Sequence, residues 1–290
     1  MSEPTQRISN VLDHGYVRLI ETWGSDERIV EAARMSTGKG FLGWGPRIVA
    51  TLRQCRNCMV IEDEPGAHDL CLCPADDSVR VHVWGEPDVK RYERGDEHLL
   101  RYLYTHRHET PFEMAGAIVE VQAPIMVFRE WQRHRTQSYN EMSARYEPLP
   151  DTHYVPTVDR CLATSEVNRQ ASRAKGTREP RRIEVEGWLV ALQRAYQLAE
   201  DVYQEGLRRG IPKELARLPV SVARYSRMRA SANLRNWLAF MTLRCHPTAQ
   251  YEIRQYANVM SHMLEAAFPR TMELFAEFEL RVVGRGAVSE

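Results

Sequence analysis

Arg129, Arg133, Arg135 and Arg145 fall within seventeen residues, opposed only by Glu130 and Glu141, so this stretch carries a local formal charge of +4 − 2 = +2 on a chain that is otherwise neutral. Guanidinium forks donate paired hydrogen bonds to phosphate oxygens and keep their charge, so such a stretch suits an anionic ligand. Ser138, Asn140, Glu141 and Ser143 follow in an expected loop. Their mixture of donors and acceptors is what fixes a base or a ring. The competing reading is a solvated helix face whose arginines pair with the two glutamates. Arg244 poses the same choice at a second place, either a ligand to an electron-rich ring or a helix-end arginine meeting backbone carbonyls.

The elements that must hold these residues follow from the pattern around them. Tyr16 to Trp23 alternates apolar with polar and predicts a strand, and Ser25 or Asp26 then caps a helix that ends near Ser36. Asp96 caps a second helix with Leu99, Leu100 and Leu103 as its buried stripe, stopped by Pro111. Ala115 to Val121 reads as a strand. Pro124 opens a helix with Ile125, Phe128 and Trp131 at three-residue spacing, and Arg129 and Arg133 share another of its faces. Asn168 to Arg182 is an exposed connection. A long helix runs from about Glu184 to Arg209 and ends at Gly210, Pro212 opens a short helix, and Val220 to Ser226 reads as a strand. Helices near Leu234 to Leu243, Ala249 to Ala267 and after Pro269 complete the chain. Strands and helices mix without regular βαβ alternation, which predicts α+β, a mixed or antiparallel sheet with long helices.

The segment Arg133-His134-Arg135-Thr136-Gln137-Ser138-Tyr139-Asn140-Glu141-Met142-Ser143-Ala144-Arg145-Tyr146 closely resembles the signature of the flavin-dependent thymidylate synthases. The likeness continues in family order through Leu12 to Val17, Ala32 to Ser36, His108 to Glu113, Ala123 to Ile125, Ala216-Arg217, Asn233 to Arg244 and Gln250 to Ile253. It spans most of the chain except about 41–93. The resemblance implies a homotetramer with shared active sites that converts dUMP to dTMP, with FAD as hydride carrier and with NADPH and methylenetetrahydrofolate as co-substrates. By that resemblance Ser36, Thr110, Arg133, His134, Arg135, Glu141, Asn233 and Arg235 hold FAD. Arg129, Glu130, Arg133, Glu141, Ser143, Ala144, Arg145, Arg217 and Arg244 line the dUMP pocket, and His108 lies near the flavin ring. Arg244 and His108 are the expected catalytic pair, Arg244 beside N3 and O4 of the uracil. Glu130 stands where some members carry a neutral Gln. Cys245-His246 faintly resembles the nucleophile region of the folate-only thymidylate synthases, but cysteine beside histidine in sequence implies no hydrogen bond in space.

Residues 1–290 read as a single domain of this kind, with 41–93 as an inserted Cys-rich subdomain. Cys55, Cys58, Cys71 and Cys73, with His68 nearby, could close a structural zinc site, and reduced thiols, a disulfide or an iron–sulfur cluster stay open. Lys plus Arg and Asp plus Glu both total 39, which argues against a non-specific nucleic-acid binder. No apolar run approaches the ~20 residues of a membrane span, so the expectation is a cytoplasmic protein with no membrane or nucleic-acid partner. Two alternatives to dUMP methylation stand beside it. One is a paralogue that hydroxymethylates its nucleotide or takes dCMP. The other is a non-catalytic protein that binds nucleic acid through the Arg-rich loop.

Overall fold

A computed structural model of the chain describes residues 8–54, 61, 89–164 and 171–280. These residues divide into two compact units, 33–107 and the remainder. The larger unit is built on a five-stranded antiparallel sheet in the order β1-β2-β5-β7-β6, with β1 Ile8–Val11, β2 Gly15–Trp23, β5 Gly116–Pro124, β6 Ser138–Glu141 and β7 Tyr225–Asn233. The helices are α1 Asp26–Arg34, α2 Asp96–Thr105, α3 Ile125–Trp131, α4 Val158–Leu162, α5 Arg182–Arg208, α6 Lys213–Ala216, α7 Leu234–Arg244, α8 Tyr251–Glu265 and α9 Pro269–Phe275. The expected α+β class with an antiparallel sheet and a long helix holds.

Alternation explains why the sheet is covered on one side. Val17, Val119, Val121, Ala230 and Ala232 are buried, and α3, α7 and α8 pack on the sheet. Small residues on β7 let the helices approach closely, and Trp131, Trp237 and Phe240 fill the space as a ring cluster, with Trp131 stacked on Phe240 at 4.5 Å. Both indoles bury their polar edge with a partner: Trp237 donates to the carbonyl of Ala117 at 3.0 Å, and Trp131 to the side-chain oxygen of Gln137 at 3.0 Å. The opposite face is polar. Glu120 pairs there with Arg18 at 2.9 Å and with Arg229 at 3.3 Å across three strands.

The strand expected over Val220 to Ser226 begins instead at Tyr225 and runs to Asn233. Val220 to Arg224 forms a turn before it, and the true alternation is Met228, Ala230 and Ala232 inward against the exposed Arg227 and Arg229. Small inward residues hide a strand from a search for large β-branched ones. Ser138 to Glu141, expected in a loop, pairs with β7 as an edge strand. Gly210 ends α5 as expected, at φ 75°, a conformation other residues adopt at a cost.

The smaller unit contains the antiparallel pair of β3 Arg47–Leu52 and β4 Val89–Glu93, together with α2. Gly95, not Asp96, is the cap of α2. A Cβ at position 95 would lie 2.1 Å from the Trp44 carbonyl, which only glycine avoids. The Asp96 carboxylate is buried and turned to other partners, Arg34 and the Leu42 N–H at 2.5 Å. The cysteines Cys55, Cys58, Cys71 and Cys73 and His68 lie outside the described residues.

Candidate functional site

The expected site residues of the larger unit fall into three groups. The first surrounds a cavity of about 490 Å³ lined by Arg129, Glu141, Met142, Ser143, Ala144, Arg217, Leu218, Ser221 and Ser226 among others. Arg129 comes from the exposed face of α3, because Val127, Phe128 and Trp131 occupy the buried one. Glu141 to Ala144 leave the sheet edge at the end of β6, where the Met142 N–H is held by the Arg227 carbonyl at 2.7 Å. Glu141 accepts from Gln132 at 3.0 Å. Ser143 accepts from the Arg145 N–H and Nε, both at 3.3 Å, so Arg145 folds back on the turn. Arg217 follows α6, its Nε near the Glu214 carbonyl at 3.4 Å. Two arginines and three serines around one concavity can seat a phosphate.

Ser221, Ser226, Leu218, Val220 and Val222 are cavity residues that reading the sequence missed. The hydroxyls of Ser221 and Ser226 are buried without a hydrogen-bond partner among the described residues. Their neighbour Arg217 was the available signal, but the stretch after it was read as a strand rather than as a cavity wall.

The second group is centred on Arg244, the last residue of α7. Its Nε donates to His134 Nε2 at 3.0 Å, one terminal nitrogen to Glu130 Oε2 at 3.0 Å and the other to the Glu130 carbonyl at 2.8 Å. Since Nε2 accepts, His134 is neutral with its proton on Nδ1. Burial and then the Arg244 charge lower its pKa from 6.5 to about 4, against the opposing pull of Glu130. The imidazole meets Phe240 edge-on at 4.9 Å, and the Tyr139 hydroxyl holds the His134 carbonyl at 2.7 Å. Glu130, expected to face substrate, is placed on Arg244. Arg244 meets a backbone carbonyl, but that of α3 rather than of its own helix.

The third group lies at the start of α7. Asn233 caps the helix by accepting from the Asn236 N–H at 3.0 Å. Arg235 is held by Glu109 at 2.5 Å and Glu113 at 2.7 Å, the one just before and the other within a 3-10 turn that begins at the exposed Thr110. Both carboxylates raise the Arg235 pKa, with Glu113 first. His108 is exposed just before this turn. Asn236 also reaches the Thr136 carbonyl at 3.1 Å and so ties the third group to the signature segment, where Arg133 and Arg135 are exposed without an ion pair among the described residues. Ser36 belongs to the smaller unit, where its hydroxyl donates to the Ala33 carbonyl at 3.3 Å.

Cys245 is not a nucleophile in waiting. Burial raises its thiol to about 11, and the neighbouring His246 ring is engaged by Thr248 at 2.7 Å. Among the described residues no group of three or more His, Cys, Asp or Glu could hold a metal ion, and no helix is long and apolar enough to cross a membrane.

An antiparallel α+β scaffold that presents Arg129, Arg217 and three serines around one cavity suits a protein that binds an anionic small molecule. Residues 18–270 match the family described as thymidylate synthase complementing protein. The chain is 33% identical over 274 residues to the flavin-dependent thymidylate synthase of Gluconobacter oxydans, covering 93% of this chain and 73% of that one. It is 32% identical over 267 residues to that of Thermus thermophilus, covering 92% and 77%. Two crystal structures of a UMP/dUMP methylase from Streptomyces cacaoi are also similar. The one bound with 5-Br dUMP has a TM-score of 0.66 at 27% identity, covering 93% of this chain and 98% of that one. The one bound with 5-Br UMP has a TM-score of 0.64 at 26% identity, covering 93% and 96%. The chain belongs to the flavin-dependent thymidylate synthase family.

Proposed function

We propose that the protein methylates dUMP at C5 to give dTMP, and that the cavity bounded by Arg129, Ser143 and Arg217 receives the nucleotide phosphate. That cavity is the observation that carries the reading. Two guanidinium groups beside a serine match a phosphate dianion, and the family relation supplies the reaction. Methylation at C5 needs an electron-rich uracil. Arg244 keeps two of its five N–H donors beyond the three committed to Glu130 and His134, and these suit O4 and a deprotonated N3. The same donors clash with the amino group of cytosine, which favours dUMP over dCMP.

The residues present also fit a flavin dinucleotide. Arg133 and Arg135 offer unpaired charge to a pyrophosphate, while neutral His134 and the α7 start bearing Asn233 and Arg235 frame the same segment. When bound there, FAD supplies the hydride that completes the methyl group, with methylenetetrahydrofolate as one-carbon donor and NADPH as reductant. This chain's own part is to hold the nucleotide's phosphate, fix the uracil edge and exclude water. The family relation adds His108 and Thr110 to the flavin side of the site. The nucleotide residues divide between the cavity and the Arg244 group, which supports active sites shared between the subunits of a homotetramer. From spacing alone, 41–93 is proposed as an insertion carrying a structural zinc on Cys55, Cys58, Cys71 and Cys73, and less than half an equivalent of zinc per chain in purified protein would remove that part.

The deciding experiment purifies the protein, looks for a bound yellow flavin, and identifies the nucleotide formed from dUMP, methylenetetrahydrofolate and NADPH. The expected product is dTMP. A colourless protein that takes up no FAD and forms no dTMP overturns the proposal.

A further inference from the structure

We propose that Glu130 is a positioning residue that acts through Arg244, setting at once the direction of the guanidinium offered to the nucleotide and the tautomer of His134. The inference rests on the reading above for the identity of the nucleotide, but its geometry stands apart from it.

Glu130 grips Arg244 twice, through Oε2 at 3.0 Å and through its own backbone carbonyl at 2.8 Å. The carbonyl belongs to the last turn of α3, where it has no later helical N–H to accept from, since Gln132 already closes on Phe128 and His134 on Trp131. The end of α3 and the end of α7 are therefore joined by one guanidinium. An arginine on a long flexible stem loses most of its rotamer freedom when three of its nitrogens are fixed. Arg244 is largely buried, with 11% of its side chain exposed, so a charge left without its counter-ion there is costly. The third fixed nitrogen, Nε, is thereby aimed at His134 Nε2 and keeps the proton of that imidazole on Nδ1.

A neutral glutamine at position 130 would keep one acceptor for Arg244 but not the compensating charge. An alanine would keep only the backbone carbonyl. Neither change touches the cavity wall formed by Arg129, Ser143 and Arg217, because Glu130 is not among its lining residues. This separates positioning from direct contact: a residue that works only through Arg244 has nothing left to do once Arg244 is gone.

The test is a double-mutant cycle on the flavin-loaded protein, read as the equilibrium affinity for dUMP rather than as turnover. E130A is expected to weaken dUMP binding by about tenfold, as for loss of a hydrogen bond to a charged group. E130Q, which keeps an acceptor but not the charge, should recover part of that loss, and E130A in the R244A background should cost nothing further. Equal losses with and without Arg244 would show that Glu130 touches the nucleotide itself and would overturn the inference, as would wild-type affinity in E130A. The second readout needs no nucleotide: nitrogen-15 NMR of the imidazole should report the Nδ1–H tautomer of His134 in the wild type and a mixed tautomer in E130A. If the wild type fails to bind dUMP, the functional reading falls, and an unchanged His134 tautomer in E130A then overturns the positioning role separately. Should E130A not fold, E130Q and E130D carry the same cycle.

Discussion

His134 shows how one contact changes what a residue type can do. A histidine in an arginine-rich segment suggests a further cation, yet burial and Arg244 bring its pKa down to about 4, and its Nε2 is an acceptor. The unfolded chain takes up the proton first, near 6.5, while the folded chain resists until about pH 4. The contribution is thus fully present above 6.5 and is lost progressively as the pH falls from 6.5 towards 4. Urea unfolding at pH 7 and pH 5 should show wild type losing stability on acidification, and H134Q should lose less over the same interval. Equal pH sensitivity in the two proteins would place the acid lability elsewhere. The neutral ring was not legible in the sequence. Its causes are burial and then Arg244, 110 residues away, and spacing within the signature says nothing of either. The arginines themselves were legible, because three-residue apolar spacing turns Phe128 and Trp131 inward and so leaves Arg129 outside.

At the scale of elements, the cavity depends on the segment before β7 being held down. Arg224, only 1% exposed, does this by donating to the carbonyls of Pro150 at 2.5 Å and Leu149 at 3.0 Å and by pairing with Glu200 of α5. One buried guanidinium thereby ties α5, the 149–150 loop and the start of β7, two residues from Ser226 on the cavity wall. E200A leaves that buried charge with only the exposed Asp151 at 3.8 Å and should cost about 3 kcal/mol in urea unfolding, whereas the paired replacement E200M/R224M should recover most of it. A cost under about 1 kcal/mol for E200A would mean that the loop carbonyls suffice. The boundaries of α3, α5 and α7 could be read from Pro124, Gly210 and the periodicity around them. The start of β7 could not, because Val220 to Ser226 is locally the better strand, and only pairing with β5 and β6 selects the small-residue stretch that follows.

For the whole molecule the informative feature is what α5 leaves uncovered. Its twenty-seven residues bury Val185, Glu200 and Tyr203 on one side, yet Ile183, Trp188, Val190, Leu198 and Val202 are exposed. Large apolar side chains along a single exposed helix mark an association surface far more often than a solvated one. The same apolar character continues at Leu215, Leu218 and Val222, and Leu218, 79% exposed, also rims the cavity. A second copy covering this surface would enclose the nucleotide that one chain leaves open to water, which links self-association to the activity proposed above. The expected species in sedimentation is the tetramer, 4 × 33.6 kDa or about 134 kDa. Leu198→Glu with Val202→Glu should shift it to smaller species with little change in the thermal stability of each chain, because neither side chain contributes to the buried core. Activity should fall with the shift and return in part at high protein concentration, as mass action requires. A wild-type protein that sediments at 33.6 kDa and still forms dTMP would show that one chain completes the site alone, and the apolar face of α5 would then need another occupant.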